Sequence, residues 1–207
     1  LAQLEQDGQL FRCDCTRAML GPDGACNGRC LQRPGQVASP WALRIKVPPD
    51  HTITFTDQVQ GPQHSKLGRE LPDFVLRRKD GLDAYQLAVV VDDIDSGVNQ
   101  VVRGADLLSS TPRQIYLYSC LGEPPPHYYH LPLALGGDGE KMSKRHGRDV
   151  VIDAGNGPAA IWQALAFLGQ QPPTDLASAN GAELLAWGVG HFQVERIPLE
   201  NRAMKID

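Results

Sequence analysis

The chain has 207 residues, 42% of them hydrophobic, with a formal net charge of −4. That length supports one sizeable core, or a core with a small satellite. The acidic balance argues against a small non-specific nucleic-acid-binding module, which is normally basic. No apolar run approaches membrane-spanning length and no secretory signal is read, so a soluble protein is expected.

Leu1 to Gly8 reads as the tail of an amphipathic helix whose front is missing, and a fragment of a longer protein is expected. Residues 9–33 form a loop-rich segment around four of the five cysteines. Their spacing is Cys13-x-Cys15, ten residues, then Cys26-x3-Cys30. Two close thiolate pairs can close a tetrahedral zinc shell, and with no open coordination position the site would be structural. Disulfide frameworks belong to small secreted chains, so a metal site in a reducing, cytoplasmic compartment is the better reading. Cys120, in a helix among apolar neighbours, reads as an inert buried thiol.

Trp41 to Val47 alternates apolar and basic residues and reads as a half-buried strand. Thr52 to Thr56 and Phe74 to Arg78 are two further strands, the latter closed by the turn Lys79-Asp80-Gly81. Leu87 to Val91 is continuously apolar and stops at Asp92-Asp93. This predicts a strand buried on both faces, as in a parallel sheet, with Tyr85 at its start. Ligand sites of open α/β sheets lie beyond the carboxyl ends of such strands, which draws attention to Asp92 through Arg103. As neighbours on a strand end, Asp92 and Asp93 would point apart and serve as caps rather than as an acid/base pair. Thr111 caps a helix with Pro112 at its first position, running to Leu121. His127 to His130 reads as packing ahead of a short strand over Leu131 to Leu135. Helices are expected over Pro158–Gly169 and Glu183–Phe192.

Gly136-Gly137-Asp138-Gly139 leads into Lys141-Met142-Ser143-Lys144-Arg145. A Gly-rich approach lets a short loop move, and Lys141 and Lys144 can place ammonium groups on phosphate oxygens. Attack on an α-phosphate with departure of pyrophosphate needs that positive charge. With Arg145, His146 and Arg148 the loop is also a local basic patch. Lys-Met-Ser-Lys would arise by chance in roughly one chain in a thousand of this length.

This loop resembles the signature of class I aminoacyl-tRNA synthetases. Its context resembles the glutamyl branch: Tyr85-Gln86-Leu87, Arg103-Gly104-Ala105-Asp106-Leu107, Ser110-Thr111-Pro112-Arg113-Gln114 and His130-Leu131-Pro132-Leu133. The tail, with Phe167 to Pro173 and Leu185-Ala186-Trp187, is similar to a shortened paralogue, the glutamyl-queuosine tRNA(Asp) synthetase family. The cysteine cluster is typical of that paralogue too, although one ligand there is often a tyrosine and Cys26 lies near that position.

The resemblance implies a mixed α/β, Rossmann-type class I catalytic domain with a small zinc-binding subdomain and a short helical C-terminal region. The implied boundaries are 1–36 for the helix end and zinc-binding subdomain, 37–147 for the second half of the catalytic domain, and 148–207 for the helical region. It implies a ligase that activates L-glutamate with ATP and Mg2+ and transfers it to the queuosine base in the anticodon of tRNA(Asp). Lys144 would contact the ATP phosphates, with Lys141 and Ser143 shaping the loop. Tyr85 and Arg103 would bind glutamate, the arginine through paired hydrogen bonds to a carboxylate. Cys13, Cys15, Cys26 and Cys30 would hold structural Zn2+. A monomer without membrane attachment is expected. Class I enzymes also need a His-x-Gly-His type segment, which would lie upstream of Leu1, so this chain by itself is expected to be inactive. Two rivals stand: a catalytic-domain fragment of a discriminating glutamyl-tRNA synthetase charging tRNA(Glu), and a zinc-stabilised tRNA-binding or scaffold module that has lost catalysis.

Overall fold

In the computed structural model the described residues are 1–21, 24–136, 139–142 and 155–204. In chain order the first elements are α1 (Ala2–Gln6), β1 (Leu10–Cys13), β2 (Ala42–Lys46), β3 (Ile53–Asp57), β4 (Gly61–Ser65), α2 (Leu67–Glu70) and β5 (Asp73–Arg77). Then come α3 (Tyr85–Asp95), β6 (Gln100–Gly104), α4 (Thr111–Leu121), β7 (His127–Leu131), β8 (Ala134–Leu135), α5 (Gly157–Phe167), α6 (Gly181–His191) and β9 (Arg202–Ala203). The chain divides into two compact units. The first comprises Leu1–Thr56, Pro62–Val101 and Ser109–Tyr128; the second comprises Asp57–Gly61, Val102–Leu108 and Tyr129–Asp207.

The first unit is organised on a three-stranded antiparallel sheet in the order β1-β2-β5. Both faces of the central strand β2 are covered, since the consecutive residues Ala42, Leu43, Arg44 and Ile45 are all buried. The alternating pattern of Trp41 to Val47 therefore does not make a half-exposed strand. Arg44 lies inside and forms an ion pair with Asp73 of the neighbouring β5. Leu4, Ile45, Leu76, Leu87, Val90 and Leu117 meet in one apolar core, with Tyr116 and Tyr118. Each fully buried leucine there contributes about 1.5–3 kcal/mol.

The buried strand expected over Leu87 to Val91 is instead helix α3. Leu87, Val90, Val91 and Ile94 recur at helical spacing, and all four pack into or against the core. The continuous apolar run hid this stripe, since a run of five cannot by itself separate a buried strand from a helix face. Asp92 and Asp93 consequently lie in the last turns of a helix, and Tyr85 opens it. In α4, Ser110 is the N-cap, Thr111 the first residue and Pro112 the second, one position later than expected. Gly122 ends that helix in the left-handed conformation, φ 79°. The expected strand Leu131–Leu135 is divided between β7 and β8.

In the second unit β8 and β9 pair in parallel, and α5 packs on α6. Asn180 and Glu183 form a reciprocal capping box at the start of α6. Buried Gln170 joins the segments around it: its amide donates to the Leu168 and Gln193 carbonyls, while its oxygen accepts from the Gln193 N–H. Among the described residues no helix is long and apolar enough to cross a membrane.

Candidate functional site

The first unit carries the four-cysteine cluster. Cys13 ends β1, Cys15 follows it, and Cys26 and Cys30 come from a tight segment in which Asn27 (φ 54°) and Gly28 (φ 77°) are both left-handed. The four sulfurs lie within 4.8 Å of one another, all buried. Cys15 Sγ is 3.8 Å from Cys26 Sγ and 3.5 Å from Cys30 Sγ. Disulfide sulfurs would be about 2 Å apart, whereas a tetrahedral shell with metal–sulfur bonds of about 2.3 Å puts them about 3.8 Å apart. The cluster therefore has the dimensions of a four-coordinate metal site.

Burial pushes the Cys13 thiol up to about 11 and raises that of Cys26 as well. For Cys30 burial is outweighed by hydrogen bonding from Asp14 and the neighbouring thiols, and its pKa falls. Buried thiols such as Cys13 and Cys26 become thiolate ligands beside a cation, which supplies the charge that burial denies them.

Two carboxylates fix the cluster. Asp73, 1% exposed, accepts the N–H groups of Cys26 (2.9 Å) and Asn27 (3.1 Å) and also pairs with Arg44, whose terminal nitrogen donates to the Gly24 carbonyl at 2.5 Å. Asp14 accepts from the Ala38 N–H at 2.9 Å and from Arg33 at 2.6 Å. Arg33 also reaches Cys30 Sγ, and the Cys30 N–H donates to Cys26 Sγ. Such outer contacts orient ligands and stabilise thiolate charge.

In the second unit Arg103 lies on β6, and its Nε donates to His130 Nε2 at 3.0 Å. His130, fully buried, sits on β7 with Nδ1 2.6 Å from Asp57 Oδ2. Asp57 Oδ1 accepts the backbone N–H groups of Val59, Gln60 and His130 at 3.1, 2.8 and 3.1 Å. Burial opposes ionisation of Asp57, but these donors and the imidazole prevail and hold its pKa below the usual value. Burial lowers the pKa of His130, against the pull of Asp57, so the ring is neutral. Because a guanidinium can only donate, Nε2 must be the acceptor and the proton resides on Nδ1, facing Asp57.

Gly104 follows Arg103 at a close approach. A Cβ there would lie 2.6 Å from Asp106 Oδ1 and 2.9 Å from Leu133 Cδ2. Lys141 Nζ donates to Asp106 Oδ2 at 2.5 Å, and its backbone bridges to Leu135. Ser143, Lys144, Arg145, His146 and Arg148 lie outside the described residues. Tyr85 belongs to the first unit, at the first turn of α3, with half of its surface exposed. Sequence reasoning missed Asp57 and treated His130 as packing. The signal for Asp57 is an Asp closing a strand before a turn that ends in Gly61, where an Asp side chain captures nearby backbone N–H groups.

Residues 31–186 match the family of class I tRNA synthetases (E and Q), catalytic domain. The chain is 46% identical to a glutamyl-Q tRNA(Asp) synthetase of Pseudomonas aeruginosa, over 95% of this chain and 66% of the relative. It is 47% identical to the enzyme so named in Ectopseudomonas mendocina and 45% identical to that of Geobacter sulfurreducens, each over 96% of this chain and 67% of the relative. This chain thus spans about two thirds of the length of these curated relatives. Its fold is similar to a glutamate tRNA ligase of Elizabethkingia meningosepticum, solved with its amino acid (TM-score 0.69, 21% identity), covering 100% of this chain and 49% of that one. A glutamate-tRNA synthetase of Elizabethkingia anophelis is likewise similar (TM-score 0.71, 21% identity, 99% and 49% covered). A match over three quarters of the sequence, with relatives above 40% identity along nearly all of it, makes this chain a member of the family of class I tRNA synthetases (E and Q), catalytic domain.

Proposed function

We propose that the protein carrying this chain activates L-glutamate with ATP and transfers it to the queuosine base in the anticodon of tRNA(Asp). The observation that carries this reading is the 44–47% identity to glutamyl-Q tRNA(Asp) synthetases over almost the whole chain. In this reading residues 1–36 hold the zinc-binding subdomain, 37–147 the second half of the catalytic domain and 148–207 the helical C-terminal region. A carboxylate oxygen of glutamate attacks the α-phosphate, the bond to pyrophosphate breaks, and the resulting acyl-adenylate yields its glutamyl group to the acceptor with release of AMP. Arg103 pairs with a substrate carboxylate through the planar fork of its guanidinium. Tyr85 offers its hydroxyl to the same amino acid. Lys144, with Lys141 and Ser143, meets the charge that accumulates on the phosphates; Mg2+ accompanies the ATP. Lys141 also contacts Asp106.

The ion suited to the four thiolates is Zn2+, with a structural role. A reduced thiol cluster and an RNA substrate fit a cytoplasmic protein, and a monomer suffices for the chemistry. The deciding experiment uses labelled glutamate and ATP with purified tRNA(Asp), with and without queuosine, and tRNA(Glu). Label on queuosine-bearing tRNA(Asp) alone is expected. Label on tRNA(Glu) would overturn the modifying reading in favour of an ordinary glutamyl-tRNA synthetase, a reading that the two solved glutamate ligases of similar fold keep in play.

A further inference from the structure

The proposed glutamate ligand Arg103 does not stand alone. We propose that Asp57 and His130 are positioning residues for Arg103, holding its guanidinium in one orientation for the carboxylate of the amino-acid substrate. This rests on the reading of Arg103 as a substrate contact.

The chain of contacts runs inward from a half-buried cation to a fully buried carboxylate. Arg103 Nε–H meets the lone pair of His130 Nε2 at 3.0 Å, and His130 Nδ1–H meets Asp57 Oδ2 at 2.6 Å. The far end cannot rotate, because three backbone N–H groups hold Asp57 Oδ1. The His130 backbone is anchored as well: its main-chain N–H donates to Asp57 Oδ1 and its main-chain carbonyl accepts from Gln60 Nε2 at 3.0 Å. Gly104, packed against Asp106 and Leu133, fixes the backbone beside the arginine.

Asp57 thereby selects the tautomer. Were the proton on Nε2, two N–H groups would face each other and Arg103 would be turned away. An arginine side chain has many rotamers to lose on binding, and an Nε already tethered leaves less to lose when a carboxylate docks end-on. The groups facing His130 are Asp57, Arg103 and Asp106. A buried Asp–His pair that served packing alone would not need to present a lone pair to a substrate-binding cation.

Two substitutions separate positioning from packing. Asp57→Asn keeps an oxygen for the three backbone donors but turns an amide toward Nδ1, which drives the ring proton to Nε2. His130→Asn keeps a donor for Asp57 and removes the acceptor for Arg103. Both are made in the protein carrying this chain and assayed by glutamate-dependent pyrophosphate exchange. Each should raise the KM for glutamate by about tenfold or more while the KM for ATP stays within about twofold. Nitrogen-15 spectra at about pH 8 should show His130 of the unsubstituted protein as the neutral Nδ1–H form, and as the Nε2–H form in Asp57→Asn.

A glutamate KM within about twofold of the unsubstituted protein in both variants, with folding intact, overturns the proposal. So does an Nε2–H imidazole in the unsubstituted protein, a result that needs neither variant to fold. Arg103→Ala isolates the underlying reading. If that variant keeps the glutamate KM, Arg103 is not a substrate contact and the proposed function loses that residue. If it loses glutamate while the other two do not, only the positioning role fails.

Discussion

The cysteine cluster of the first unit and the Asp57–His130–Arg103 chain of the second solve the same problem in opposite ways. Each places functional side chains around a buried carboxylate that accepts backbone N–H groups. At the cluster, Asp73 faces a permanent cation, Arg44, and both are almost wholly buried. In the second unit, Asp57 faces a neutral imidazole, and the cation stands one residue further out, half exposed. A buried ion pair is indifferent to pH across the physiological range, because arginine never gives up its proton. A carboxylate joined to imidazole is not, since the histidine can be charged by mild acid. The first arrangement suits a structural knot and the second a contact that must be oriented yet remain accessible.

Removing one thiolate should have the largest effect. Cys26→Ser takes a ligand from the metal site and leaves a buried hydroxyl among three thiols. We expect loss of about one bound zinc equivalent and destabilisation of more than about 4 kcal/mol, a fall of roughly 10 °C or more in Tm, read by metal analysis and thermal unfolding. Zinc retained at full stoichiometry would break the four-cysteine assignment.

Asp73→Ala should come next. It strands the Arg44 charge and releases the Cys26 and Asn27 N–H groups, at a cost of about 3–5 kcal/mol in thermal or denaturant unfolding. Adding Arg44→Ala should recover part of that loss, because the uncompensated charge goes with it. If the double variant is as unstable as the sum, the ion pair is not the unit that holds the knuckle.

Acid should separate the two regions more gently. The folded pKa of His130 lies below its unfolded value near 6.5, so the unfolded chain takes up the proton first. That part of the stability is complete above about pH 6.5 and is lost as pH falls from there to the folded value, with a slope of at most about 1.4 kcal/mol per pH unit. Asp57, also lowered, contributes stability that is present above its unfolded pKa of about 3.8 and disappears as pH falls through the folded value. His130→Asn should flatten the upper part of the acid profile and leave the lower part, as followed by urea midpoints against pH. A profile unchanged by His130→Asn would show that the histidine takes up its proton equally in the folded and unfolded chain.

The smallest effect should come from the cap of α6. Asn180→Ala removes the capping box of α6 and should cost about 1 kcal/mol, with glutamate kinetics unaltered.

The cysteine cluster was legible before any coordinates because its ligands lie within eighteen residues of chain, and thiol spacing maps directly onto metal geometry. Strands β2, β3 and β5 and helices α4 to α6 were legible from local patterning to within a few residues. Helix α3 was not, because Leu87 to Val91 satisfies both strand and helix templates. The choice was made by Val90 and Ile94 finding the core. Arg44 escaped for a related reason: alternation shows that a strand has two faces but not that both are covered.

By itself, then, the sequence determined the four clustered thiols, the family through the lysine loop and its flanking motifs, and Arg103 as a residue of interest. The tertiary structure alone decided what surrounds that arginine. Asp57 and His130 are 73 residues apart, and neither belongs to a local pattern that announces a partner. A hydrogen-bonded chain is specified by distance and direction between groups on different strands. Those quantities do not exist in a sequence until the backbone has brought the strands together.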